Sequence, residues 1–166
     1  MLKYVNTDVV FQEIPNETTL AINISNCPCH CKGCHSSYLA EDIGTELTAH
    51  SLLKLLKKNK GITCVAMMGG DSEPQEVEYF SELVRNIAGL RYAWYSGRQE
   101  LPKNIDISKF NYIKLGPYIE ELGGLKSPTT NQRLYEIKMC KELDEKGNPI
   151  YGLEDETDRK STRLNS

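Results

Sequence analysis

Four of the chain's six cysteines fall within eight residues, in the stretch Asn26-Cys27-Pro28-Cys29-His30-Cys31-Lys32-Gly33-Cys34-His35. Thiolates are soft ligands, and a short loop holding several of them suits a metal or cluster better than a spread disulfide framework. Cys27, Cys31 and Cys34 make a C-x3-C-x2-C pattern. One loop with that spacing can wrap three thiolates around an iron–sulfur cluster. A four-iron cluster with three protein ligands keeps one iron open to a substrate or cofactor. Zinc is the alternative, because Cys27, Cys29, Cys31, Cys34, His30 and His35 could supply four ligands from the same loop. Structural zinc commonly uses two separated pairs, and the remaining cysteines, Cys64 and Cys140, stand alone. Spacing favours iron–sulfur and leaves zinc open.

Two further segments carry chemistry. Gly69-Gly70-Asp71 follows an apolar run; glycines there let backbone approach a ligand closely, and the carboxylate could accept from an ammonium. A turn leading to a helix at Pro74 explains the same residues. Ser96-Gly97 follows a second apolar run, and Ser96 could bond a carboxylate or a ribose or be an ordinary turn hydroxyl. His50 reads as a surface residue, Cys64 as a buried structural thiol and Cys140 as incidental. Tyr92, Trp94 and Tyr95 read as alternating core and rim positions, and Asn131, Gln132 and Arg133 as a polar loop.

The elements that must position these groups are legible in outline. Thr18 to Ile24 alternates like a strand and runs into the cysteine loop. Thr48 is a predicted N-cap for a helix over 48–60, closed by Lys57, Lys58, Lys60 and Gly61. Thr63 to Met68 is a buried strand, and Pro74 opens a helix that Gly89 ends. Leu90 to Tyr95 and Tyr112 to Leu115 are further strands, Leu134 to Met139 is a last one, and 140–157 reads as polar and partly ordered. This alternation predicts right-handed βαβ units: an α/β fold, a shortened partial (βα) barrel of mainly parallel strands. In such sheets sites gather beyond the C-terminal strand ends, where the cysteine loop, Gly69-Gly70-Asp71 and Ser96-Gly97 all fall.

Composition narrows the class. The 166 residues are 39% hydrophobic and 26% charged, with a formal charge of −3. That profile excludes collagen-like and wholly disordered chains, and the mild acidity speaks against nucleic acid as a partner. No apolar run approaches the roughly 18 residues of a membrane helix. The opening MLKYVNTDVVFQ lacks the apolar core of a signal peptide, so a cytoplasmic protein without membrane contact is expected. The ending DRKSTRLNS resembles a sequencing-library adapter read in frame. The expectation is one domain over 1–157 and a non-native tail over 158–166. Without the tail's three basic and one acidic residue the charge moves from −3 to −5.

The cysteine loop resembles the radical S-adenosylmethionine signature. Its wider context is similar to the anaerobic ribonucleoside-triphosphate reductase activating proteins. Met68-Gly69-Gly70-Asp71 matches their glycine-glycine-acid motif, and Trp94-Tyr95-Ser96-Gly97 their aromatic-Thr-Gly segment. Leu115-Gly116-Pro117-Tyr118 sits at their Asp-Gly-Pro turn, and Ser127 to Arg133 resembles their Asn-Gln-Arg ending. The likeness runs from about Thr18 to Arg133. It departs where Gly33 replaces the aromatic before the third cysteine, with His35 standing in for the adenine contact, and where Cys29 adds a thiol inside the motif.

The resemblance implies that Cys27, Cys31 and Cys34 hold a 4Fe-4S cluster whose open iron chelates the amino and carboxylate groups of S-adenosylmethionine. Gly33, His35, Gly69, Gly70, Asp71 and Ser96 would contact that cofactor, with no catalytic residue beyond the cluster and S-adenosylmethionine. One electron from a flavodoxin-like donor would cleave the C5′–S bond, and the adenosyl radical would take a hydrogen from a glycine of the reductase large subunit. An activase of another glycyl-radical enzyme, of formate-lyase type, and a non-catalytic zinc-binding interaction module are the alternatives.

Overall fold

The computed structural model describes residues 1–157 except Gln12, His30, Lys32, Cys34 and His35. The tail over 158–166 and three residues of the cysteine loop that could ligate, His30, Cys34 and His35, therefore lie outside the described residues.

Among the described residues eight strands form one mixed sheet: β1 Lys3–Val10, β2 Thr19–Ile24, β3 Thr45–Glu46, β4 Cys64–Met68, β5 Arg91–Tyr95, β6 Tyr112–Leu115, β7 Arg133–Leu143 and β8 Pro149–Asp155. Their spatial order is β3-β1-β2-β4-β5-β6-β7-β8. Only the pairings β2–β4, β4–β5 and β5–β6 are parallel. The other four neighbouring pairs are antiparallel. The expected partial (βα) barrel of mainly parallel strands is thus wrong.

The physical reason lies in the connections, since parallel neighbours need a crossover. Helix α1 (Ala49–Lys58) lies between β2 and β4, and α2 (Pro74–Arg85) joins β4 to β5. No further α-helix follows among the described residues. The chain leaves β6 through a loop and returns antiparallel as β7. Asp144 then folds β7 onto β8: its carboxylate accepts from the N–H groups of Lys146 and Asn148 at 2.9 and 2.8 Å. Residues 140–157, expected to be partly ordered, mostly belong to this hairpin.

The expected helices are present. Thr48 caps α1 reciprocally with Ser51, whose N–H donates to the Thr48 hydroxyl at 3.1 Å while the Thr48 N–H donates to Ser51 Oγ at 2.7 Å. Pro74 is at the start of α2, where its missing N–H costs nothing. Both helices cover one face of the sheet. Leu20, Ile22, Val65, Met67, Tyr92, Trp94 and Ile113 meet Leu52, Val77, Phe80 and Val84 there. Because strand side chains alternate, the intervening residues point to the helix-free face. A second, smaller core lies on that face, where Ile14 and Leu125 from loops pack on Cys64, Ala66, Ala93 and Tyr112.

No helix among the described residues is long and apolar enough to cross a membrane.

Candidate functional site

The register of the parallel strands sets the floor of the site. Asn23 pairs with Met68, Met68 with Tyr95, and Tyr95 with Lys114. These four residues form one row across β2, β4, β5 and β6, at or next to the C-terminal ends. None of them belongs to the helix-facing core. All four line a cavity of about 270 Å³.

Loops from distant parts of the chain build its walls. Cys27, Cys29 and Cys31 line it from the loop after β2, Gly69 and Asp71 from the turn after β4, and Gly97 from the turn after β5. Tyr118 and Gln132 close it from the loop between β6 and β7. The cysteine loop is pinned by the Cys27 N–H, which donates to the Leu39 carbonyl at 2.8 Å. Gly69 N–H donates to the Tyr95 carbonyl at 3.0 Å, and Trp94 Nε1 to the Gly69 carbonyl at 2.7 Å. The turns after β4 and β5 are thereby one unit.

Asp71 is the bolt of that unit. It is 1% exposed. Its Oδ1 accepts from the Ser96 hydroxyl at 2.5 Å and its Oδ2 from the Gly97 N–H at 2.9 Å. Arg98 donates to the Asp71 carbonyl at 2.9 Å, and its N–H donates to the Ser96 Oγ at 3.1 Å. Ser96 is fully buried and does not line the cavity. Its hydroxyl holds Asp71. Gly70 does not line the cavity either. Its φ is +90°, and a Cβ there would sit 2.6 Å from a Val77 methyl, so helix α2 can pack against the turn only because residue 70 is glycine.

Cys29 takes a different part from its neighbours. Its Sγ lies 3.8 Å from Asp71 Oδ2. Burial first, and then the Asp71 charge, push its thiol up to about 12. A Cβ on Gly97 would come 2.7 Å from this sulfur, so glycine there makes room for Cys29.

Cys27, Cys29 and Cys31 are free thiols, half-buried. Among the described residues no three metal-binding side chains gather at one point. Two of the three thiols expected as ligands, Cys27 and Cys31, line the cavity; the third, Cys34, lies outside the described residues, as does His35. Gly33 is described with a φ of +75° and faces the Glu120 carboxylate; it does not line the cavity. His50 and Cys140 are exposed, and Cys64 is buried in β4. Tyr92 and Trp94 are core residues stacked near Phe110, while Tyr95 is on the cavity face. Sequence reasoning missed Lys114 and Tyr118 and gave Gln132 no place in the site. Lys114 reads as one polar residue in a buried strand, and only the strand register puts it on the floor.

No family model matches this chain, and neither does any curated protein or solved structure.

Proposed function

We propose that this chain is an activase that uses a 4Fe-4S cluster and S-adenosylmethionine to generate a glycyl radical on an anaerobic ribonucleoside-triphosphate reductase. One observation supports the reading above the others. Cys27, Cys31, the Gly69–Asp71 turn and the Gly97 turn are far apart in sequence, yet all line a single cavity beyond the parallel strand ends. These are the segments that resemble the motifs of such activases. The donor set suits the group: two free thiols on one loop, Cys27 and Cys31, line a cavity that Gly69 and Gly97 also line.

Cys27 and Cys31 would hold the cluster together with Cys34. When bound, the cluster supplies the electron that cleaves S-adenosylmethionine and starts hydrogen abstraction from a protein glycine. The chain's own residues position and exclude. The Asp71 bolt fixes two turns against each other, so the cofactor-facing backbone of Gly69 and Gly97 is set before anything binds. The row Asn23, Met68, Tyr95 and Lys114 gives a floor that shields the site from water on the sheet side. Electron donation by a flavodoxin-like protein belongs to the same proposal, as does a cytoplasmic location.

Anaerobic purification and reconstitution test it. The expected protein is brown, carries about four irons per chain and releases 5′-deoxyadenosine from S-adenosylmethionine on reduction. Mixed with the reductase large subunit, it produces a glycyl-radical signal in electron paramagnetic resonance. One zinc per chain with no charge-transfer absorption would overturn the proposal in favour of a zinc-binding module. A radical formed only on a formate-lyase-type partner would reassign the substrate.

A further inference from the structure

Where β2 runs into the cysteine loop, three consecutive N–H groups donate to carbonyls of other segments. Ser25 N–H donates to Lys3 at 2.9 Å, Asn26 N–H to Glu41 at 3.1 Å and Cys27 N–H to Leu39 at 2.8 Å. The first acceptor belongs to β1. The other two belong to the chain where it returns after the cysteines, so they close a neck across the loop. Asn26 sits in the middle of that neck with a φ of +60°. Most side chains avoid this left-handed conformation, and asparagine tolerates it because its short amide can bond locally. Here the amide finds Asp42: Asn26 Nδ2 donates to Asp42 Oδ1 at 3.0 Å, and Lys3 Nζ donates to the same oxygen at 2.8 Å. One carboxylate oxygen thus ties together the strand end, the returning chain and β1. Cys27 and Leu39, the bonded pair next to it, both line the cavity.

We infer that Asp42 is a positioning residue for Cys27: it locks the neck of the cysteine loop and thereby holds this thiol at the cavity wall. The backbone turn at Asn26 sets the direction in which Cys27 leaves β2, and the Asp42 bond steadies that turn. A ligand loop whose neck is already closed loses less freedom when a metal group binds, so the group is held longer. Asp42 is well exposed, and its bond to Lys3 is screened by water and salt. The clamp therefore tunes the loop without holding up the fold. The inference rests on the proposed function for the cluster that Cys27 would hold, but not for the clamp on the thiol.

Two measurements on the full chain test it. The first is alkylation of the reduced, metal-free protein by iodoacetamide, with the rate at each cysteine read by peptide mass mapping. Asp42→Ala should raise the Cys27 rate about three- to tenfold. Cys64, fully buried in β4, reports global unfolding and should stay protected. Asp42→Asn, which can still accept from Asn26, should fall between wild type and Asp42→Ala. Asn26→Gly keeps the backbone turn and removes the amide, so it should speed Cys27 as well, and adding Asp42→Ala to it should change little more. Should Asp42→Ala expose Cys64, Asp42→Asn and Asn26→Gly decide the question. The second measurement is transfer of iron from reconstituted protein to a chelator, expected to quicken by a similar factor in the same variants. An unchanged Cys27 rate with Cys64 protected overturns the clamp. Faster alkylation with unchanged iron release overturns the positioning role and leaves the proposed function standing. If the wild type takes up no iron, the proposed function falls, and alkylation alone decides the clamp: a faster Cys27 upholds it and an unchanged one removes it.

Discussion

The two ends of the parallel strands each bury a carboxylate, and they do so in opposite ways. At the C-terminal ends Asp71 is held by a hydroxyl and a backbone N–H, with the Arg98 Nε 4.0 Å away. At the N-terminal ends Glu17 is held by Arg91, whose Nη1 lies 2.9 Å from Oε1 and also donates to the Tyr112 hydroxyl at 3.3 Å. Thr63 adds a contact to Glu17 Oε2 at 3.5 Å and receives the Thr18 N–H at 2.9 Å. The Glu17 cluster ties strand starts together through charge. The Asp71 cluster ties two glycine-bearing turns together through short hydrogen bonds and leaves their backbone facing a cavity. One end closes the sheet, and the other holds an open surface rigid.

The largest effect that could break this contrast is loss of the cysteines. Cys27→Ala and Cys31→Ala are each expected to abolish iron incorporation, read as iron per chain after reconstitution, and Cys34→Ala should do the same. Cys29→Ala should keep its iron, because that sulfur is turned to Asp71 Oδ2 at 3.8 Å. Equal iron loss in Cys29→Ala would mean that the two kinds of thiol have been misassigned.

Asp71→Ala comes next. It strands the buried Ser96 hydroxyl and the Gly97 N–H, a cost of about 2–4 kcal/mol in unfolding free energy. It should also loosen both turns, so S-adenosylmethionine binding weakens at least severalfold while Cys27 and Cys31 still take up iron. Chemical denaturation and calorimetry read the two effects separately. A variant with wild-type stability would show that Asp71 is no bolt. Gly70→Ala should cost less, about 1–3 kcal/mol, through the positive φ and the Val77 contact. Unchanged stability would place the turn differently from the arrangement described.

Much of the contrast was legible in the sequence because the central strands are apolar and bounded by glycine. β2, β4, β5 and β6 and both helices fall within a few residues of their expected places. The rule that sites gather at C-terminal strand ends brought Gly69, Asp71, Gly97 and the cysteines to one rim. The flanks were not legible. β1 pairs polar residues such as Asn6 and Asp8 with β2, and so lacks clean alternation. In β7 and β8, Met139, Leu143, Tyr151 and Leu153 share one face of the hairpin but stay largely exposed, among charged residues that read as loop. These antiparallel flanks turn an expected barrel into a mixed sheet. The individual duties of Asp71, Ser96 and Lys114 depend on strand register and on which turn meets which, and neither is local in sequence.

The smallest expected effect sharpens the comparison from the other end. Burial raises the Glu17 carboxyl above its ordinary value of 4.5, and Arg91 only partly offsets this. A raised acid is more readily protonated in the fold than in the unfolded chain. Its contribution to stability is therefore complete below about pH 4.5 and is lost as pH rises through the higher folded value. Glu17→Gln removes that titration while keeping a hydrogen-bonding side chain beside Arg91. Urea unfolding of both proteins from pH 4 to pH 7 should then show the wild type losing stability relative to Glu17→Gln as pH rises. Parallel curves would mean that the Arg91 pairing balances burial, and a wild type that gains on the variant that it outweighs burial. The closed end would then be held mainly by charge, and its contrast with the hydroxyl and N–H that grip Asp71 would be sharper still.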